Sequence, residues 1–334
     1  MKKYQNYFYR LYILIFIIAL IPKEGSAQKD TSIDNGFYIT YPQKLLIRLF
    51  LSQKFAPLTI SSNSGKELNY KTNSKLNVGI GATYKSFTLN LSYGFSFLNK
   101  DKGQGDTKGL DMQLHIFPKK WAIDILGTFI KGYYLNPNDN SGLNSNSYYQ
   151  RPDIKRSIIG FTVFRVPNAD KFSYKAAVTQ NEWQTKSAGS LLYGAEVYYG
   201  IIKGDSILVP SLLSNNFEQA GINKINFFNL GPGVGYAYTL VVTKHLFITA
   251  SAIADLDVNF SSEEKAGVKH TKVSFVPTGI YKGAVGYNSS TWSISANIIG
   301  NALYSGSAFS SKEYFLPTGN IRFTIAKKIG LKRI

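Results

Sequence analysis

From Leu76 onward the chain alternates oily and polar side chains through one segment after another. Phe87 to Phe97 carries the pattern best: Phe-Thr-Leu-Asn-Leu-Ser-Tyr-Gly-Phe-Ser-Phe, every odd position apolar or aromatic and every even one small or polar. A period of two places the two sets on opposite faces of an extended strand. The oily face is unbroken over the roughly 9–11 residues that a tilted strand needs to cross a bilayer. The pattern therefore predicts an all-β protein, an antiparallel transmembrane β-barrel rather than a soluble sandwich.

Strands are predicted at 76–84, 87–97, 110–116, 121–134, 155–166, 172–179, 189–202, 227–242, 246–260, 272–287, 292–304 and 319–328, with a weaker one at 54–62. Short turns fall at Lys85-Ser86, Pro118 to Lys120, 167–171, Lys244-His245 and 288–291, and longer polar loops separate the rest. Outer-membrane barrels keep short turns in the periplasm, long loops outside and an even strand number. Between 179 and 227 that alternation needs one more crossing, which 207–212 supplies. The expected barrel is residues 54–334 with about 14 strands, or 12 if neither weak segment is one. Residues 28–53, whose Leu-Leu-Ile-Arg-Leu-Phe-Leu run has no clear period, form a periplasmic lead-in. On this topology Gln180 to Ser190 lies at an extracellular turn.

Composition strengthens the membrane reading. With 23 Tyr and 22 Phe the chain is rich in aromatics, and Tyr84, Phe87, Trp121, Phe247, Tyr287 and Trp292 sit beside the short turns, as an interfacial belt does. Residues 1–27 begin with Lys2, Lys3 and Arg10, continue as an apolar run from Leu11 to Ile21 and end in Gly25-Ser26-Ala27, the pattern of a secretory signal peptide cleaved after Ala27. The run is too short to be read as a spanning helix. The absence of Cys excludes a disulfide framework, a lipid-anchored cysteine and thiolate metal sites. The net charge of +18 favours anionic partners, here outer-membrane lipids and lipopolysaccharide, with the barrel-assembly machinery expected during insertion. Nucleic acid is not expected as a partner: the basic residues are scattered, no recognised motif is present, and the chain is exported.

Candidate chemistry is sparse. His115, His245 and His270 share no metal-ligand spacing, and neither a metal nor another cofactor is expected. Asp255 and Asp257 occupy one strand face with Asn259, and Glu196 lies on another strand; as lumen carboxylates they would pair with Lys175, Lys272, Lys282 or Arg322. Gly204-Asp205-Ser206 resembles the nucleophile block of the Gly-Asp-Ser esterases, but the chain lacks the Asp-x-x-His those enzymes need, and a Gly-Asp turn explains it better. Gly231-Pro232-Gly233-Val234-Gly235 is not a dinucleotide loop; small inward residues in a strand relieve crowding or admit another segment. The densest polar block is Gln180 to Ser190. In it Glu182, Lys186, Ser187 and Ser190 offer the parts of a Ser/Lys hydrolytic site, and Trp183 the anchor of an inward-folded loop. No positioned base is evident, so no enzyme is expected.

The blocks Tyr149-Gln150-Arg151-Pro152-Asp153, Phe172 to Ala177, Gln180-x-Glu182-x-Gln184-x-Lys186-Ser187-Ala188-Gly189-Ser190 and Gly231-Pro232-Gly233-x-Gly235-Tyr236 together resemble a family of exported proteins catalogued only as a domain of unknown function. The resemblance spans nearly all of the mature chain. It implies an outer-membrane barrel from a Gram-negative bacterium and carries no activity or catalytic residue with it. Three functional expectations remain: a barrel admitting or binding a small solute, with the basic excess favouring an anionic one; a non-catalytic structural or assembly barrel whose loop docks a partner; and a membrane-embedded lipid hydrolase using Ser187 or Ser190.

Overall fold

The computed structural model describes residues 32–95, 98, 103–118, 120–137 and 146–331. The leader, with its expected cleavage after Ala27, lies outside them. In chain order the strands are β1 (Ile33–Asp34), β2 (Tyr38–Thr40), β3 (Lys44–Phe55), β4 (Leu58–Ser61), β5 (Glu67–Tyr70), β6 (Leu76–Tyr84), β7 (Phe87–Tyr93), β8 (Lys108–Ile116), β9 (Trp121–Leu135) and β10 (Tyr149–Arg165). A short helix, α1 (Tyr174–Val178), precedes β11 (Glu182–Gln184) and β12 (Ala188–Lys203). After a 3-10 turn at Ser211–Asn216 come β13 (Ile222–Val241), β14 (Leu246–Lys265), β15 (Val268–Asn288), β16 (Trp292–Ala302), β17 (Tyr304–Ser305), β18 (Tyr314–Phe315) and β19 (Thr318–Gly330).

Twelve of these strands close an antiparallel barrel in the order β3, β6, β7, β8, β9, β10, β12, β13, β14, β15, β16, β19. The last wall strand pairs back on the first, from Gly319 opposite Phe55 to Gly330 opposite Lys44. Closure leaves no free sheet edge at that junction.

Burial is inverted relative to a water-soluble protein. On β14, Leu246, Ile248, Leu256 and Phe260 are exposed, while Thr249, Ser251, Asp255, Asp257, Asn259, Ser261 and Glu263 between them are buried. On β7, Phe87, Leu89, Leu91 and Tyr93 are each more than 60 % exposed and Thr88 is buried. A wall that turns its large apolar side chains out and its carboxylates in suits hydrocarbon outside and a polar lumen inside.

Four sequence expectations change. The lead-in at 28–53 does not stop short of the barrel: Lys44–Phe55 is a wall strand. Its period was hidden because Leu46 and Phe50, apolar like their outward neighbours, point inward with Arg48 and Ser52. Of the segment 54–62, the first two residues finish that strand, and Leu58–Ser61 belongs to a separate four-stranded sheet, β17-β18-β4-β5. The segment 172–179 is helical rather than extended, because the Ser173 hydroxyl accepts the Ala176 N–H and caps the turn. The segment 207–212 runs into the 3-10 turn and adds no wall strand. Twelve, the lower expected count, is the number that closes.

The change of count moves the polar block. Residues 166–187 connect β10 to β12 at the end where the short turns and both wall termini lie, so Gln180 to Ser190 belongs to the periplasmic mouth, not to an extracellular loop. There β11 joins β1 and β2 in a small sheet. Side chains and backbone of this insert bond to three short turns around the rim: Asn181 Nδ2 donates to Lys85 O, Trp183 Nε1 to Lys244 O, and Asn288 Nδ2 to Glu182 O. The Tyr174 hydroxyl reaches Ser251 Oγ on the lumen wall at 3.1 Å. The insert is a plug.

Candidate functional site

The opposite mouth is filled as well. Arg156, fully buried on β10, donates to Pro57 O and Pro317 O through Nη1 and to Leu316 O through Nη2, which holds the ends of β3–β4 and β18–β19 inside the barrel. Glu263 accepts Ala308 N–H and the Tyr314 hydroxyl, Asn259 Oδ1 accepts Gly306 N–H, and Lys272 Nζ donates to Ser307 O and Ser310 O. These wall side chains draw the segment 303–317 inward. Leu58, Ile60, Leu68, Tyr70, Leu208, Phe217, Leu303 and Leu316 form the apolar core of the resulting cap.

Between plug and cap lies the site proper. Glu196 of β12 and Asp255 and Asp257 of β14 point into the lumen and are 2, 5 and 0 % exposed. The strand between them, β13, places Gly231 opposite Glu196 and Gly233 opposite Asp255. A Cβ on Gly231 would stand 2.2 Å from Asp257 Oδ1, and one on Gly233 1.7 Å from Asp255 Oδ1. The glycines are there to make room for the carboxylates. Thr278 of β15 donates to Glu196 Oε1 and lies 3.3 Å from Asp257 Oδ2. Among the described residues no hydrogen-bond donor reaches either Asp255 oxygen, and the Glu196 and Asp257 carboxyl groups lie close enough to share a hydrogen bond with each other. Buried acceptors without donors are costly, so this layer favours a donor-rich guest.

One layer towards the plug, Asp124 of β9 takes a charged hydrogen bond from Lys282 Nζ through Oδ2 and meets His115 Nδ1 at 2.5 Å through Oδ1. The Lys282 ammonium also lies over the rings of Tyr174 and Phe117, at 5.1 and 5.6 Å from their centroids. The lumen cations expected to neutralise Asp255 and Asp257 are thus engaged elsewhere. Lys175 faces Glu182 at 3.6 Å, Lys272 binds carbonyls of the cap, and Arg322 lies over the Phe50 ring at 4.5 Å.

The plug residues act on one another. Glu182 Oε2 accepts from Ser173 Oγ at 2.5 Å; burial pushes its carboxyl above the ordinary value, against the opposing pull of Lys175 and of that hydroxyl. The Trp183 indole stacks on His245 at 4.8 Å, and His245 stacks on Tyr287 at 5.1 Å. Lys186 Nζ sits 5.5 Å from the Phe37 ring centroid. Ser187 Oγ accepts Val241 N–H, and Ser190 Oγ accepts Asn168 N–H while donating to Leu191 O. Both serine hydroxyls fasten backbone, and Glu182 turns to Ser173 and Lys175 instead. A cavity of about 380 Å³ lies beside the plug, lined in part by Tyr38, Tyr41, Trp121, Phe172, Lys175 and Glu182.

Sequence reasoning missed the role of Gln184. Its Nε2 donates to the carbonyls of Phe37, Lys171 and Lys186, and its Oε1 accepts Ser173 N–H, so one amide ties the plug to itself and to the β1–β2 sheet. Asp124 and Thr278 were missed too, since nothing in their own neighbourhoods distinguishes them. The Gly-Asp-Ser block is a turn held by Asp153: its carboxylate accepts Asp205 N–H while paired with Arg151, whose Nη1 donates to Ile207 O.

A closed twelve-stranded wall, apolar outside and charged within, is that of an outer-membrane β-barrel protein. The chain belongs to the family described as Domain of unknown function (DUF4421), whose model matches residues 31–326. No curated protein matches it. Among solved structures it is similar to the CymD monoaromatic hydrocarbon channel, at 8 % identity over 87 % of this chain and 89 % of that one with a TM-score of 0.30. It is also similar to OmpT, an outer membrane protein of Vibrio cholerae, at 10 % identity over 85 and 97 % with a TM-score of 0.28. The Pseudomonas putida toluene transporter TodX follows at 8 % identity over 87 and 90 % with a TM-score of 0.24.

Proposed function

We propose that this barrel is a gated conduit for a small solute, closed at rest by the plug of residues 166–187 at one mouth and by the cap around residues 303–317 at the other, and opened when both withdraw. The reading is carried by the construction of the plug. It is one continuous insert whose two ends are fixed in the wall at Arg165 and Ala188; hydrogen bonds from Asn181, Trp183, Asn288 and Arg48 tie it to the rim and wall, and Phe172, Tyr174 and Ala177 pack with Leu192, Ala237 and Ile253 of the wall. Such bonds contribute about 0.5–1.5 kcal/mol each and the buried side chains add to them, so withdrawal needs a driving partner or ligand, but it breaks no bond of the wall ladder. No catalytic role is assigned. At the carboxylate layer the solute is cationic or an uncharged hydrogen-bond donor, because Lys175, Lys272 and Lys282 are engaged elsewhere and, among the described residues, no basic group is paired with Glu196, Asp255 or Asp257.

Replacing residues 172–184 of the plug together with residues 305–314 of the cap by short Gly/Ser turns tests the reading. In planar bilayers the native chain is expected to be silent, and the shortened chain to conduct with preference for cations. A shortened chain that folds, as shown by a heat-shifted gel band, yet carries no current would overturn the gate and leave a sealed structural barrel.

A further inference from the structure

We propose that the wall has a side entrance between β7 and β8, serving a binding site for an anionic amphiphile drawn from the outer leaflet. The first observation is the ladder. β6 and β7 pair from Val78–Tyr93 to Tyr84–Phe87, and β8 and β9 pair from Lys108–Lys131 to Ile116–Ile123. Between β7 and β8, among the described residues, only Phe87 and Ile116 pair, at the short-turn end. Above that point the facing edges of the two strands are not laddered. Unpaired backbone facing hydrocarbon is unfavourable, and it persists where it borders a polar cavity.

The second observation is that such a cavity is there. A space of about 320 Å³ is lined by Ser92, Tyr93 and Gly94 on one side of the seam, by Lys108 to Leu110 on the other, and by Phe55 and Thr318 at the ends of β3 and β19, two and three strands round from β7. Ser92, on the inward face of β7, is exposed, as a residue lining an opening is. The third observation is the distribution of chemistry. Lys54 and Lys108 border the cavity at its long-loop end, with Lys75 beside them 3.7 Å from Asp106, while Leu89, Leu91, Leu110 and Met112 form apolar lips on the lipid face below them. In an outer-membrane barrel the long-loop end stands at the outer headgroup level. A guest with one acidic head and one acyl chain meets both: the head reaches the ammonium groups and the chain lies along the lips. This entrance is independent of the plug, which closes the other end of the lumen.

The test uses the full chain in nanodiscs of phosphatidylcholine containing a minor share of phosphatidylglycerol, released and weighed by native mass spectrometry. The native chain is expected to retain phosphatidylglycerol over phosphatidylcholine. The double variant Lys54→Gln/Lys108→Gln is expected to lose that preference by about tenfold, with an unchanged heat-shifted band. Equal retention of the two lipids, or a preference untouched by the double variant, would overturn the site. Since the chain has no cysteine, Asn90→Cys/Gln113→Cys reports on the seam alone. These positions would face each other if the antiparallel register continued from Phe87 and Ile116, and oxidation is expected to be slow and, once forced, to exclude the lipid. Complete oxidation that leaves retention unchanged would remove the side entrance. So would photocrosslinking from Leu91 that captures a polypeptide strand in place of lipid.

Discussion

Gly233 and Gln184 show how much depends on single side chains inside this wall. A methyl group on Gly233 would fall 1.7 Å from Asp255 Oδ1, with the Phe164 ring at 3.1 Å behind it, so Gly233→Ala must push the carboxylate off its seat. The expected cost is about 1–3 kcal/mol. Adding Asp255→Ala should restore much of the loss, because it removes the group that is struck, and urea titration of the detergent-folded band reads both. Additive losses in the double variant would mean that the glycine serves the backbone and not the carboxylate. Gln184→Ala acts on the plug instead. It strands Ser173 N–H and takes the amide donor from the carbonyls of Lys171 and Lys186, while Phe37 O keeps the N–H groups of Thr185 and Lys186; the plug is expected to loosen by about 2–4 kcal/mol while the wall stays closed. Faster trypsin cleavage at Lys171, Lys175 or Lys186 with an unchanged heat-shifted band is the expected result.

At the scale of elements, the plug carries a pH dependence whose sign is set by Glu182. Burial raises its carboxyl above the ordinary value of 4.5, more than Lys175 and Ser173 lower it. A raised folded-state value means that the docked plug holds the proton more tightly than the released one. Docking is therefore strongest in acid, below pH 4.5, and weakens as pH rises through the raised value. Hydrogen exchange of the plug amides should slow on mild acidification, and Glu182→Gln should flatten that response; a plug that loosens in acid would reverse the assignment. The same elements show what the sequence disclosed. Strands such as β7 and β14 were legible because one face is wholly apolar and the other wholly polar. β3 was not, because Leu46 and Phe50 point inward beside Arg48, and its run reads as apolar on both faces. The helix at Tyr174–Val178 was read as extended, since a five-residue turn capped by Ser173 is too short to show a period. That one misreading displaced the whole polar block to the wrong end. Asp255 and Asp257 are buried between exposed neighbours, and the lysines expected beside them lie elsewhere, because pairing between distant strands depends on register and on plug contacts that no local pattern records.

For the molecule as a whole, the inverted wall makes a prediction that separates a lipid-facing barrel from any water-soluble β-protein. Leu256 is 57 % exposed and lies at mid-strand on β14, flanked along the strand by the buried Asp255 and Asp257. In water, a charge at so exposed a position would change stability by no more than about 0.5 kcal/mol. At the midplane of a bilayer, Leu256→Arg should cost about 2–4 kcal/mol, and the cost should fall towards zero as the same substitution is moved along the outward face to Ile248 or Phe260, nearer the two interfaces. A depth profile of that shape, measured by urea unfolding in phospholipid vesicles, is produced only by hydrocarbon against the outer face. A flat profile near zero would mean that water covers Leu256, and with it would fall the membrane wall, the plugged conduit and the side entrance between β7 and β8.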